Sequence, residues 1–132
     1  MTNLTGVVLV CDDNEDTLEY LEVLLRRAGH VVYTATGHGD LMPLINSVRP
    51  DLLLCDIYLP GRNGFQIAEQ LRAQGEHIPI VFMTAFDTSL YRAYAQQVEH
   101  APCITKPFDG DKLLRQIEST LQTHVQEHAF VA

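Results

Sequence analysis

The sequence lacks any long apolar run. No stretch approaches the roughly 20 residues that span a bilayer, so no membrane-crossing helix is expected. The N-terminus, MTNLTGVVLV, has no basic segment and no cleavage signature; it reads as a first strand rather than a secretory signal. Basic residues are scarce. Nine Lys and Arg stand against 17 Asp and Glu, for a formal charge of −8. A nucleic-acid groove would need a basic stripe. The expected partners are therefore proteins, with no direct binding to nucleic acid or membrane. Only three cysteines occur, Cys11, Cys55 and Cys103, each inside an apolar run. An odd, buried set excludes a disulfide framework and reads as reduced thiols of a cytoplasmic protein. No Walker lysine motif is present. Gly37, His38 and Gly39 in TGHGDL begin a dinucleotide fingerprint but lack its third glycine, and they follow a second strand, so they read as a loop. There is no repeat, linker or low-complexity stretch, and 132 residues suit one domain.

What is present is alternation. Short apolar runs at Gly6–Cys11, His30–Ala35, Leu52–Cys55, Ile80–Met83 and Cys103–Thr105 are separated by segments of helical period. Several runs are apolar on consecutive residues, as in strands of a parallel sheet buried on both faces. Leu18, Leu21, Leu24, Leu25 and Ala28 mark a first helix, stopped by Gly29. A shorter second helix is expected from Asp40 to Val48, with Pro43 tolerated in or near its first turn. Phe65, Ala68 and Leu71 mark a third, closed by Gly75. Thr88–Val98 forms a fourth, with Leu90, Tyr94 and Val98 on one side and no glycine to stop it. Asp109 caps a fifth, through Leu113, Leu114, Ile117 and Leu121. Five strands alternating with five helices imply a doubly wound α/β sheet with right-handed crossovers.

In such sheets ligands sit beyond the carboxyl ends of the strands. Asp12 and Asp13 follow the first strand, Asp56 the third, Thr84 and Ala85 the fourth, and Lys106 and Pro107 the fifth. Three carboxylates, a hydroxyl and an ammonium thus converge on one rim. A strand-ending Asp alone is usually a turn or cap residue; the joint set is what signals a site. Carboxylates so close repel unless a cation intervenes. Lys106 can pair with one, and a hard divalent ion can take the others; carboxylates alone do not choose Mg²⁺ over Mn²⁺ or Ca²⁺. Asp56 is left as a nucleophile of the kind that forms aspartyl-phosphate. The Thr84 hydroxyl and the backbone N–H groups after Asp56 and Thr84 (at Ala85) are donors for phosphoryl oxygens. Pro60, Gly61 and Gly64 make the turn that keeps the pocket open.

Four motifs, VLVCDDNED (8–16), DLLLCDIYLPGRNGF (51–65), VFMTAFD (81–87) and ITKPF (104–108), resemble the receiver domain of two-component response regulators. The resemblance covers residue 6 to about 123. It implies a flavodoxin-like fold of strand order 2-1-3-4-5, with a receiver domain over 1–123 and a tail over 124–132. By this resemblance Asp56 accepts a phosphoryl group from a histidine kinase or phosphotransfer protein. Asp13, Asp56 and the Tyr58 backbone carbonyl would hold Mg²⁺ (or Mn²⁺), Asp12 acting mostly through water, while Thr84, Lys106 and the Ala85 N–H would contact the phosphoryl group. The family usually carries Tyr or Phe where this chain has Cys103, an aromatic that swings inward as the threonine moves. That coupling is therefore not implied here, although phosphorylation is. The Gly-Ala usual before the fifth strand is replaced by Glu99 and His100, then Ala101 and Pro102, so an unusual partner surface is expected there.

Tyr58 and Phe86 lie two residues beyond Asp56 and Thr84, beside the path of a hydrolytic water. Both are bulky, which predicts a long-lived phosphoryl state; equally, they cover strand ends or meet a partner. His124 and His128 are four apart on a possible helix, a spacing that fits terminal surface residues better than a metal site. Glu15, Asp16, Glu19 and Glu22 with Arg26 and Arg27 read as a solvated helix face, with kinase docking a secondary role. The expected function is a phosphorylation switch whose output is protein binding, as a stand-alone receiver. The alternative is a receiver from a hybrid histidine kinase or larger regulator. A haloacid-dehalogenase-type phosphatase would need an acid where Tyr58 stands, and a phosphate-independent scaffold would not need the full acid set.

Overall fold

The computed structural model describes residues 4–85 and 89–129. Strands β1 (Val7–Cys11), β2 (Val31–Ala35), β3 (Leu52–Asp56), β4 (Ile80–Thr84) and β5 (Cys103–Thr105) alternate with helices α1 (Glu15–Arg27), α2 (His38–Val48), α3 (Gly64–Ala73), α4 (Ser89–Glu99) and α5 (Gly110–Ala129). The strands form one parallel sheet in the order β2-β1-β3-β4-β5. This is the doubly wound arrangement that the alternating pattern predicts.

Strand period distributes the core. Val8, Val10, Leu52, Leu54, Val81 and Met83 face α1 and α5, meeting Leu18, Leu21, Leu25, Leu113, Ile117 and Leu121. Leu9, Cys11, Leu53, Cys55, Ile80 and Phe82 face the other way, onto Leu41, Ile45, Ile67, Leu71 and Ala95. Successive side chains point to opposite faces, so both faces must be apolar, and β3 and β4 are buried at every residue. Cys11 and Cys55 are buried free thiols, whereas Cys103 is half-buried.

Three helices differ from the sequence reading. α2 begins two residues earlier than expected, so His38 and Gly39 of TGHGDL are helical rather than loop. Asp40 causes this: its carboxylate accepts from the backbone N–H groups of Thr36 and Gly37 at 2.8 and 2.9 Å, closing the helix start. Pro43 consequently sits at the sixth helical residue, beyond the first turn. In α4 the inward residues are Ala95, fully buried, and Tyr91; Leu90 is 74% exposed and Tyr94 39%. Helix α4 ends without glycine because His100 adopts a left-handed φ of 52° while its N–H bonds the Gln96 carbonyl. α5 is capped by Asp109 as expected, but it continues to Ala129, so residues 124–129 prolong the helix. His124 and His128 both lie on it; the side chain of His128 is outside the described residues.

α4 is tied to its neighbours by polar contacts. Arg72 of α3 pairs with the buried Glu99 carboxylate at 2.8 Å. Arg92 donates to the Cys103 carbonyl and to Thr105 Oγ1 at 3.2 and 2.7 Å. Among the described residues, no helix is long and apolar enough to cross a membrane.

Candidate phosphoacceptor and metal site

The site follows from register. Cys11 lies opposite Cys55 in the sheet, so the next residues, Asp12 and Asp56, leave adjacent parallel strands side by side. Asp12 continues the parity of Val8 and Val10, Asp56 that of Leu52 and Leu54, and Lys106 that of Ile104; all five of those apolar residues belong to the layer under α1 and α5. The strands thus aim two acids and one ammonium from the same face of the sheet at its carboxyl rim.

Their distances are short. Lys106 Nζ donates to Asp12 Oδ2 at 2.5 Å and to Asp56 Oδ2 at 2.9 Å. Lysine therefore bridges two acids, rather than the single partner that the sequence suggests. Asp12 Oδ1 also accepts from the Asn14 N–H at 2.9 Å, and Asp56 Oδ1 from the Tyr58 N–H at 3.2 Å. Asp13 is exposed at the outer side, and a carboxylate oxygen from each of Asp12, Asp13 and Asp56 lies within 4.8 Å of the others. One ammonium against three carboxylates leaves an excess of negative charge and hard oxygen ligands. This donor set fits an oxygen-seeking divalent cation.

The electrostatics agree. Burial pushes the Asp56 pKa up; Lys106 and the Tyr58 N–H oppose this and Asp12 reinforces it, with a net rise. Burial alone would lower the Lys106 pKa, but its bonds to Asp12 and Asp56 outweigh it and hold the ammonium charged. Asp56 is thus a nearly buried carboxylate whose negative charge is costly until a cation or an electrophile arrives.

The supporting turn is built around Gly64. Its N–H bonds the Ile57 carbonyl at 2.8 Å, and a Cβ there would stand 2.6 Å from the Asp56 carbonyl oxygen. Only glycine lets α3 start this close to the Asp56 backbone. Asn63 caps that helix, accepting from the Gln66 N–H while the Gln66 side chain accepts from Asn63. Thr84 is buried at the end of β4, and its carbonyl accepts from the Lys106 N–H at 2.7 Å. Ala85 follows it, exposed at the rim. Phe86 lies outside the described residues. Cys103 is on β5 opposite Phe82, half-buried against the α2–α3–α4 layer. The acidic face of α1 is solvated as expected, with a Glu22–Arg26 pair at 2.9 Å. One feature at this rim has no periodic signal in the sequence: the Tyr58 hydroxyl meets that of Tyr91 on α4.

The profile of the response regulator receiver domain matches residues 8–118. The chain belongs to the response regulator receiver domain family. Solved receiver structures superpose closely. The receiver domain of the Francisella response regulator 1452 has a TM-score of 0.84 at 22% identity, covering 90% of this chain and 98% of that one. The BeF3-activated N-terminal receiver domain of Klebsiella pneumoniae RstA gives 0.78 at 23%, covering 87% and 97%. NtrX from Brucella abortus gives 0.88 at 24%, covering 97% of this chain but 30% of the longer NtrX chain. At these identities the superpositions speak for the fold. The family places the chain in two-component signalling, as a phosphoacceptor switch rather than an enzyme, with a divalent metal at the pocket of Asp12, Asp13 and Asp56.

Proposed function

We propose that Asp56 accepts a phosphoryl group from a phosphohistidine on a histidine kinase or phosphotransfer protein, and that the resulting aspartyl-phosphate alters a protein-binding surface. The observation that carries this is Lys106 Nζ held 2.9 Å from Asp56 and 2.5 Å from Asp12 at the rim where both acids emerge. An Asp56 carboxylate oxygen attacks phosphorus as the phosphorus–nitrogen bond of the donor breaks. The bonding electron pair returns to the imidazole nitrogen, and the product is a mixed anhydride at Asp56. Asp12, Asp13, Asp56 and the Tyr58 carbonyl would hold Mg²⁺ or Mn²⁺, and such an ion supplies charge neutralisation for the carboxylates and the phosphoryl oxygens.

The chain's own groups do the rest. Lys106 exchanges its bond with Asp56 for one with a phosphoryl oxygen. The Thr84 hydroxyl and the Ala85 N–H donate to the others. Tyr58, half exposed beside the acceptor, screens the anhydride from water and prolongs its life. The acidic face of α1 offers a docking surface for the donor. A phosphatase reading lacks its general acid, because position 58 is tyrosine.

The test is incubation with a small acyl-phosphate donor and Mg²⁺, followed by intact-protein mass measurement. Wild type gains one phosphoryl group and Asp56→Asn gains none. Equal labelling of the two, or no labelling of wild type, contradicts the proposal.

A further inference from the structure

Five aromatic rings form a continuous chain from the acceptor loop to α4. Tyr58 meets Tyr91 edge-on, with ring centroids 5.8 Å apart and planes at 76°. The two hydroxyls are hydrogen-bonded to each other. Tyr91 then lies against Phe65 at 6.3 Å, Phe65 against Phe82 at 4.9 Å, and Phe65 against Tyr94 at 4.6 Å. Tyr94 Oη also donates to Glu69 on α3 at 3.3 Å. Strand β5 contributes no ring to this chain.

The first link starts at the acceptor itself. The Tyr58 N–H is bonded to Asp56 Oδ1, so anything that redistributes charge on Asp56 acts on the Tyr58 backbone. The Tyr58 side chain leaves the sheet rim and ends on α4. Tyr91 is half-buried against the core, whereas its neighbour Leu90 is one of the most exposed apolar side chains of the molecule. A displacement of Tyr58 therefore reaches a core-anchored ring in one contact and an exposed apolar helix face in the next.

From this geometry we infer that Tyr91 is a positioning residue for the acceptor loop, and that the Tyr58–Tyr91 contact couples the state of Asp56 to the exposed face of α4. In the resting protein the contact holds Tyr58 so that its N–H faces Asp56. Losing it loosens the loop and weakens capture of a phosphoryl group. By thermodynamic reciprocity, whatever binds the α4 face then changes affinity at Asp56 by the same factor. The inference rests on the phosphoacceptor reading above.

A double-mutant cycle tests it, with beryllofluoride and Mg²⁺ as the probe and backbone amide NMR as the readout. Two groups of amides are followed, those of residues 56–58 and those of Leu90 and Tyr94. Tyr58→Phe and Tyr91→Phe each remove one hydroxyl and keep the ring, so the fold is retained. Each should weaken beryllofluoride binding by about three- to tenfold, the worth of one hydrogen bond. The double variant should be no weaker than either single one, since one contact has been lost. The shifts of Leu90 and Tyr94 should shrink together in all three variants. If the two single effects multiply, or if the α4 shifts persist at full size while the loop amides respond, the coupling is refuted and the phosphoacceptor reading stands. If wild type binds no beryllofluoride, the phosphoacceptor reading falls and the inference falls with it.

Discussion

The two ends of β3 carry the same side chain and put it to opposite uses. Asp51 stands just before the strand, and Asp56 is its last residue. Asp51 Oδ2 accepts the Val7 N–H at 2.7 Å and fixes the start of β1. Nearby, His30 Nδ1 accepts the Gly6 N–H at 3.2 Å. At that rim, side-chain acceptors are consumed by backbone donors. At the other rim Asp56 and Asp12 face each other across a lysine, with Asp13 beside them. A strand-end carboxylate is thus a cap where backbone N–H groups take up its charge. It becomes a candidate ligand site where further carboxylates crowd it and negative charge is left unbalanced.

Removing the bridging cation should give the largest effect. Lys106→Ala leaves Asp12, fully buried, without its counter-charge, and should cost roughly 3 kcal/mol of unfolding free energy without divalent ions. Mg²⁺ should restore part of that loss. Denaturant unfolding with and without Mg²⁺ measures both; an unchanged stability would break the comparison. Gly64→Ala comes next. Its new Cβ collides with the Asp56 carbonyl, which a flexible side chain cannot relieve, so a loss of roughly 2 kcal/mol is expected together with slower phosphorylation.

At the opposite rim, Asp51→Ala removes one cap and should cost about 1 kcal/mol. Its labelling by a phosphodonor should match wild type. Reduced labelling would mean that the two rims are not separate in function. The smallest effect is a pH dependence. Burial lowers the His30 pKa, with the Gly6 backbone hydrogen bond and nearby Glu118 acting the other way. The folded pKa lies below the unfolded value, so the contribution is complete above about pH 6.5 and is lost as pH falls through the folded pKa. Replacing His30 with Gln should flatten that part of the stability–pH curve in thermal unfolding.

The sheet and the acid rim were legible because both rest on short-range pattern. Consecutive apolar residues mark strands buried on two faces, and the first polar residue after each run marks the rim. Asp12, Asp56 and Lys106 followed from that rule alone. Other features rest on capping chemistry that hydrophobic period does not carry, or on contacts between distant residues. The start of α2 is set by Asp40 reaching back to Thr36 and Gly37. The end of α4 is set by a left-handed His100 where a glycine would be the usual signal. Leu90 and Tyr94 share one side of α4, but both are exposed and the side chain of Val98 lies outside the described residues; the helix packs through Ala95 and Tyr91 and is held by Arg72–Glu99 and by Arg92. The meeting of Tyr58 with Tyr91 joins residues 33 apart and has no periodic signature.

The most direct test of the difference between the two ends of β3 is to locate the acyl phosphate chemically. Wild-type protein is labelled with a small phosphodonor and Mg²⁺, reduced with borohydride, digested, and its peptides are sequenced by mass spectrometry. The account predicts conversion of residue 56 to homoserine, with Asp12, Asp13 and Asp51 unchanged. Homoserine at any of those three positions instead of residue 56 would contradict it.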